Sequence, residues 1–122
     1  MGDGQVRYWS LCENERYSER YIDCAYDEEI PLSREGRFTV VLSAPSQRPA
    51  NARTSCGVVW LRWGPQSEAF LALRHMLPSP DFAHALQRVE RPGDEERVVG
   101  EYLPVGRHMT RAAFEQRGCR RR

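Results

Sequence analysis

The chain has 122 residues, of which 40% are hydrophobic and 29% charged, and its formal net charge is +1. This length fits one folded domain, and a charge so near zero gives no electrostatic reason to expect binding to nucleic acid or an anionic membrane. No apolar run approaches the roughly 20 residues that span a bilayer, so no transmembrane segment is predicted. Residues 1–4 lack the features of a secretory signal, so an exported origin would require a leader upstream of residue 1. The sequence therefore does not predict the cellular compartment of the protein.

Strand-forming residues dominate the first three fifths of the chain. The predicted strands cover residues 6–12, 17–26, 37–43, 57–65 and 68–76. The clearest is 37–43, where Phe38, Val40 and Leu42 alternate with Thr39 and other residues of mixed polarity. One wholly apolar face is typical of a strand in one sheet of a β-sandwich.

The segment between the third and fourth predicted strands, residues 44–55, has two prolines and no apolar periodicity, which indicates a loop. Arg48 and Asn51 place a guanidinium and an amide close together there, so they are candidate ligand-binding residues. Loops on a rigid sheet often carry function, although asparagine and proline are also ordinary turn residues. In the next strand Trp60 and Trp63 are three positions apart and should face opposite sides. One of them is expected in the core and the other, taken as Trp63, in a ligand groove or interface, although two buried tryptophans are the commoner arrangement.

The strand 68–76 is predicted to place Ala69, Leu71 and Leu73 on one face and Phe70, Ala72 and Met76 on the other, and near its end it carries Arg74 and His75. Arg74 is a further candidate for ligand binding. His75 is more often a hydrogen-bonded strand residue than a catalytic base.

A single short helix is predicted over residues 80–89. Ser79 is a suitable N-cap and Pro80 suits the first helical position. The apolar stripe of this helix recurs at helical spacing: it consists of Phe82, Ala85, Leu86 and Val89.

The remaining chain is predicted to form a closing strand over residues 98–105, with one or two helical turns over 110–116. Residues 107–122 contain six arginines and one glutamate, so we predict a basic, flexible C-terminal tail after a folded domain of residues 1–106.

Four cysteines are present, at positions 12, 24, 56 and 119, without the CxxC spacing of a zinc or redox site. Cys12 and Cys24 lie on neighbouring predicted strands and are candidates for a disulfide, with free buried thiols as the alternative. The acidic triplet Asp27–Glu29 supplies too few converging oxygens for calcium, so it is interpreted as a solvated loop. Neither a metal nor a cofactor is expected.

Motifs that would identify an enzyme are missing from the sequence: it has no G-x-S-x-G elbow, P-loop, dinucleotide fingerprint or H-E-x-x-H. Its three histidines lie on different predicted elements. No catalytic residue is therefore predicted, and His75 is only the least implausible base.

The order of features over residues 6–90 resembles a bacterial family of uncharacterised proteins, Domain of Unknown Function 1214. The resemblance rests on the opening Tyr8-Trp9-Ser10-Leu11, the segment Trp60-Leu61 followed by Gly64-Pro65, and Phe70-Leu71-Ala72-Leu73-Arg74 before Pro78. Here Arg62-Trp63 replaces the small Pro-Ala step of the family. The resemblance implies a compact antiparallel sandwich or jelly-roll domain, often joined to a companion β domain and frequently exported.

The sequence thus predicts a mostly-β single domain of six to eight strands, an antiparallel β-sandwich or jelly roll with one short helix. Its predicted function is non-catalytic binding of a small polar or anionic ligand or a partner chain, through Arg48, Asn51, Trp63 and Arg74. The alternatives are an enzyme acting in a sandwich cavity and a purely structural oligomerisation domain. The expected partner is a second copy that covers an exposed sheet edge, or the companion β domain that the resemblance implies.

Overall fold

The computed structural model describes residues 5–64 and 68–119, and in this part of the chain it contains two sheets and two short α-helices. The strands are β1 (Val6–Glu15), β2 (Tyr21–Tyr26), β3 (Thr39–Ser43), β4 (Val58–Arg62) and β5 (Ala69–Pro78). The helices are α1 (Glu95–Val99) and α2 (Arg111–Glu115). Short 3₁₀ turns cover Pro45–Gln47, Thr54–Cys56, Leu86–Arg88 and Gly100–Tyr102. The predicted β-rich class is confirmed, but residues 5–64 and 68–119 form five strands and two α-helices, where six to eight strands and one helix were predicted.

The first sheet is antiparallel and has the order β2-β1-β5, so β1 pairs on both sides. Because side chains alternate along a strand, this sheet has two distinct faces. On the inner face Trp9, Leu11, Ala25 and His75 are buried, while Leu71 at one end of the same face is 47% exposed. The outer face carries Tyr8, Ser10, Cys12 and Asn14 of β1 together with the β2 and β5 residues that pair with them.

The second sheet consists of β3 and β4, which run parallel. Phe38, Val40 and Leu42 pack against the main core, as the alternation predicts. The main core lies between the inner face of the first sheet and this apolar face of the second, where Leu61 is fully buried. The expectation of a wholly antiparallel fold is wrong for this pair, because residues 44–57 cross over and return the chain in the same direction.

A smaller core lies on the other face of the second sheet. Ala52, Val58 and Phe114 are buried there, with Val41 and Trp60 packed against them. Phe114 belongs to α2, whose N-cap Thr110 accepts a hydrogen bond from the Ala113 N–H through its side chain. Helix α2 therefore covers a face of the second sheet that would otherwise be open.

The predicted helix over residues 80–89 is wrong. Phe82 and Ala85 are buried as expected, but Ala85 has an extended backbone and only Leu86–Arg88 forms a 3₁₀ turn. The Leu86 N–H donates to His75 Nδ1, and the Gln87 side chain donates to the His75 carbonyl oxygen. These bonds to β5 replace those that a helix would have formed within itself.

The predicted closing strand over residues 98–105 is also wrong. This segment forms the end of α1 and a 3₁₀ turn, with Val99 fully buried and Tyr102 packed edge-on against Phe82. Glu95 and Glu96 in the first turn of α1 suit the positive end of the helix dipole.

The predicted flexible tail differs from the structure over residues 110–119. Phe114 is buried, and Cys119 forms a disulfide with Cys56. The high arginine content of this segment led to the prediction of a flexible tail, although Phe114 and Cys119 attach it to the rest of the fold.

A hydrogen bond from a backbone N–H of β4 to a side-chain carboxylate of β2 joins the two sheets at the edge of β4. The Arg62 N–H points away from β3 and donates to Asp23 Oδ2 of β2 at 3.0 Å. Asp23 Oδ1 also accepts a hydrogen bond from the Cys24 N–H.

Candidate functional site

The loop between β3 and β4 contains a cavity of about 310 Å³ lined by Arg48, Pro49, Ala50, Ala52 and Arg53. Arg48 Nε and Nη2 donate to the Ala52 carbonyl oxygen at 3.0 and 2.7 Å. The Arg48 guanidinium carbon lies 4.5 Å from the centre of the Trp60 ring, a cation–π contact. The predicted candidate Arg48 therefore faces a cavity, while Arg53 is a neighbour that the sequence interpretation missed.

Asn51, the second predicted residue of this loop, is buried, with 8% of its surface exposed. Its Nδ2 donates to the carbonyl oxygens of Phe114 and Gly118, each at 3.0 Å. Its amide thus attaches the C-terminal segment to the loop, so the structure gives Asn51 a structural role.

The other two predicted residues lie elsewhere. Trp63 follows β4 and is half-buried, and its backbone N–H donates to the Ser43 carbonyl oxygen. Arg74 is on β5, where it pairs with Ser10, and its side chain belongs to the outer face of the first sheet. The four candidates therefore do not form one site.

The outer face of the first sheet is rich in exposed aromatic and apolar side chains. Phe70 and Tyr21 lie on either side of Asn14, and they are 41% and 60% exposed. At the other end of the sheet the exposed Tyr26 lies 6.2 Å from Tyr8, measured between ring centres, and Met76 pairs with Tyr8.

A hydrogen bond crosses the centre of this outer face. Arg74 Nη2 donates to Tyr21 Oη at 3.1 Å. Because β1 separates β5 from β2, the two side chains reach each other over β1. Beneath them Ser10 and Cys12 are buried. Alternation along β5 indicated that Phe70 and Met76 share a face, but no sequence signal showed that this face would stay exposed.

His75 lies on the inner face, opposite Trp9, and is only 4% exposed. Its Nδ1 accepts a hydrogen bond from the Leu86 N–H at 3.1 Å, so the proton of the neutral ring is on Nε2. Burial lowers the pKa of His75 below its ordinary value. A buried ring whose basic nitrogen is already occupied is poorly suited to be a general base.

The lowered pKa of His75 predicts a pH dependence of stability. The unfolded chain gains a proton near the ordinary histidine pKa of 6.5 while the folded chain does not. We therefore expect the free energy of unfolding to be highest above this pH and to fall by up to about 1.4 kcal/mol per pH unit below it. Urea denaturation at about pH 7.5 and about pH 5.5 measures this slope.

The control for this prediction is His75→Asn, whose side-chain oxygen takes the place of Nδ1 and can still accept from the Leu86 N–H. It should show a smaller slope between the two pH values, and an unchanged slope would contradict the prediction. The lowered pKa values of Glu15, Asp81 and Glu95 keep these carboxylates ionised across the window.

All four cysteines are paired. Cys12 and Cys24 face each other across β1 and β2 and form a disulfide, the pairing that their strand positions suggested. Cys56 and Cys119 form the second disulfide, which links the β3–β4 loop to the C-terminal segment. Sequence interpretation gave no signal for the second pair.

Within residues 5–64 and 68–119, no group of three or more histidine, cysteine or acidic side chains is placed to hold a metal ion. In the same part of the chain, no helix has the length and apolar character needed to cross a membrane. In comparisons with protein-family models, curated proteins and solved structures, nothing matches this chain. The resemblance to Domain of Unknown Function 1214 therefore stays a prediction.

Proposed function

We propose that this chain is a non-catalytic interaction domain that binds a partner protein through the outer face of its first sheet. The observation that supports this proposal most is the exposure of Tyr21, Tyr26, Phe70 and Met76 on one face. Exposed apolar patches on folded domains commonly mark interaction sites. In the same view the domain is an incomplete β-sandwich, in which the partner covers the open side.

The composition of the outer face resembles the centre of a protein interface. Tyrosine, phenylalanine, methionine and arginine are enriched in interface centres, where acidic residues and lysine are depleted. Arg74 is the single charged residue among the paired positions of this face, and its guanidinium donates a hydrogen bond to Tyr21 across β1. Tyrosine and arginine are also frequent hot spots of binding energy.

Charge at the two ends of the face favours a different protein over a second copy. At one end the three acidic residues Asp27–Glu29 outnumber Arg7. At the other end three glutamates outnumber two arginines, and these residues are Glu15, Glu19, Glu68, Arg16 and Arg20. Two copies stacked face to face would bring acidic ends together, which is unfavourable. The expected partner therefore has an apolar patch with basic residues around it.

The paired cysteines support an oxidising compartment as the site of action. Disulfides persist in secreted, periplasmic or surface proteins and are rare in the cytosol. Both disulfides join segments that pack together. Alkylation of source cells lysed directly into denaturant without reductant, followed by mass spectrometry, tests this part of the proposal: four unreactive cysteines would support it, and four alkylated ones would contradict it.

The interaction itself is tested by photo-crosslinking in the source cells. A benzophenone amino acid is placed at Phe70 in one variant and at Leu71 in another. These neighbours are exposed to similar extents, 41% and 47%, but they point to opposite faces. We expect one protein to be captured from position 70 and not from position 71.

The captured protein is then identified, purified and titrated against the wild-type chain and Tyr21→Ser. Loss of a tyrosine hot spot should weaken the affinity at least about tenfold. Equal capture from both positions, or unchanged affinity in Tyr21→Ser, would contradict the proposal. A concentration-dependent dimer in sedimentation velocity, broken by Tyr21→Ser, would instead identify a second copy as the partner.

A further inference from the structure

The cavity in the β3–β4 loop is separate from the outer face, since none of its lining residues lies on the first sheet. We infer that it binds a small oxyanion, such as phosphate, sulfate or a carboxylate, between the guanidiniums of Arg48 and Arg53. Its volume of about 310 Å³ is close to the lower end of the range for small-molecule sites. This inference goes beyond the proposed protein interaction and does not depend on it.

Arg48 is held in place before any ligand arrives. Two of its five N–H donors are used by the Ala52 carbonyl oxygen, and its guanidinium carbon lies over the Trp60 ring. Trp60 is itself fixed by a 2.8 Å hydrogen bond from its Nε1 to Ser43 Oγ. A fixed guanidinium loses little conformational entropy on binding, and its remaining donors suit an oxyanion.

Arg53 supplies the second guanidinium. Its Nε donates to the Ala50 carbonyl oxygen at 2.9 Å, which orients the side chain along the loop. Its two terminal nitrogens form no hydrogen bond within the described residues. Two arginines thus line one cavity with donors that can form charge-assisted hydrogen bonds.

Neither arginine forms an ion pair with a carboxylate in the described part of the chain. The carboxylate beside the loop is that of Glu115. Its Oε2 accepts from the Ala50 N–H at 2.7 Å, and its Oε1 lies 3.4 Å from Arg111 Nε. Because Glu115 is paired with Arg111, the positive charge of Arg48 and Arg53 is left for a ligand to neutralise.

Isothermal titration calorimetry with sodium phosphate, sodium sulfate and sodium acetate, each at constant ionic strength, tests the site. We expect at least one of the three to bind the wild-type chain, and the tightest of them identifies the oxyanion class. Arg53→Gln should weaken that binding at least about tenfold, the scale of one charge-assisted hydrogen bond.

The matched control is Arg62→Gln, which removes the same charge from an exposed arginine of β4 that does not line the cavity. Its affinity should equal that of the wild-type chain. No binding of any of the three anions, or equal weakening in both variants, would overturn the inference. Because Arg53 is exposed, circular dichroism should show that the variant stays folded.

Discussion

Replacing Cys56 and Cys119 together by alanine is expected to lower the free energy of unfolding by about 4 kcal/mol. These cysteines are 63 positions apart, so their disulfide strongly restricts the unfolded chain. In the folded chain the bond also holds the segment that carries Phe114 against the second sheet. Guanidinium denaturation of the oxidised proteins measures the change. Since small domains are stable by only about 5–15 kcal/mol, this loss would be large.

The matched control replaces Cys12 and Cys24, which are only 12 positions apart, by alanine. The shorter loop predicts a smaller loss, about 3 kcal/mol. Hydrogen exchange adds a local readout: faster exchange in α2 is expected only when the Cys56–Cys119 bond is removed. An equal or smaller loss for the long-range pair, with unchanged exchange in α2, would show that the disulfide does not hold this helix.

Leu61→Ala is expected to lower the free energy of unfolding by about 2–5 kcal/mol, as is usual for a leucine in a packed core. Leu61 is 1% exposed and belongs to the main core between the sheets. Truncating it leaves a cavity that neighbours on two separate sheets cannot easily close. Urea denaturation at neutral pH measures the effect.

The control for this prediction is the same substitution at Leu71, which is 47% exposed. Because water already reaches its side chain, Leu71→Ala should cost less than about 1 kcal/mol. Equal losses at the two positions would mean that Leu61 is not in a tightly packed core.

The strands of both sheets could be predicted because their pattern is local. Alternating side chains define a strand and its faces within a few residues, as Phe38, Val40 and Leu42 did for β3. Alternation does not define strand direction. The parallel pairing of β3 with β4 depends on the path of the 44–57 connection, which no local pattern describes.

The errors beyond residue 79 have a common physical cause, which is that distant partners outweighed local preference. The stripe of Phe82 and Ala85 fits a helix, but His75 offered hydrogen bonds from a neighbouring strand. The disulfide between Cys56 and Cys119 likewise could not be predicted, because the two residues are 63 positions apart and the local sequence around neither one indicates the other.

Only part of the candidate site could be predicted. Arg48 was recognisable as a loop guanidinium, but Arg53, which lines the same cavity, was missed. The bonds from Asn51 to the C-terminal segment could not be predicted, because they join residues more than 60 positions apart. The outer face could not be recognised because exposure depends on what the rest of the chain leaves uncovered. Local sequence describes which residues share a face, and only the fold describes whether that face is covered.

We expect the hydrogen bond from the Arg62 N–H to Asp23 to limit aggregation of this protein at high concentration. An unpaired strand edge is a template on which other chains can add strands and begin to aggregate. At the edge of β4 the Asp23 carboxylate accepts the hydrogen bond of the outward-pointing Arg62 N–H, and it places a negative charge beside that edge. A foreign strand would have to displace it to pair with Arg62. Asp23→Ala is therefore a change that would open β4 to aggregation.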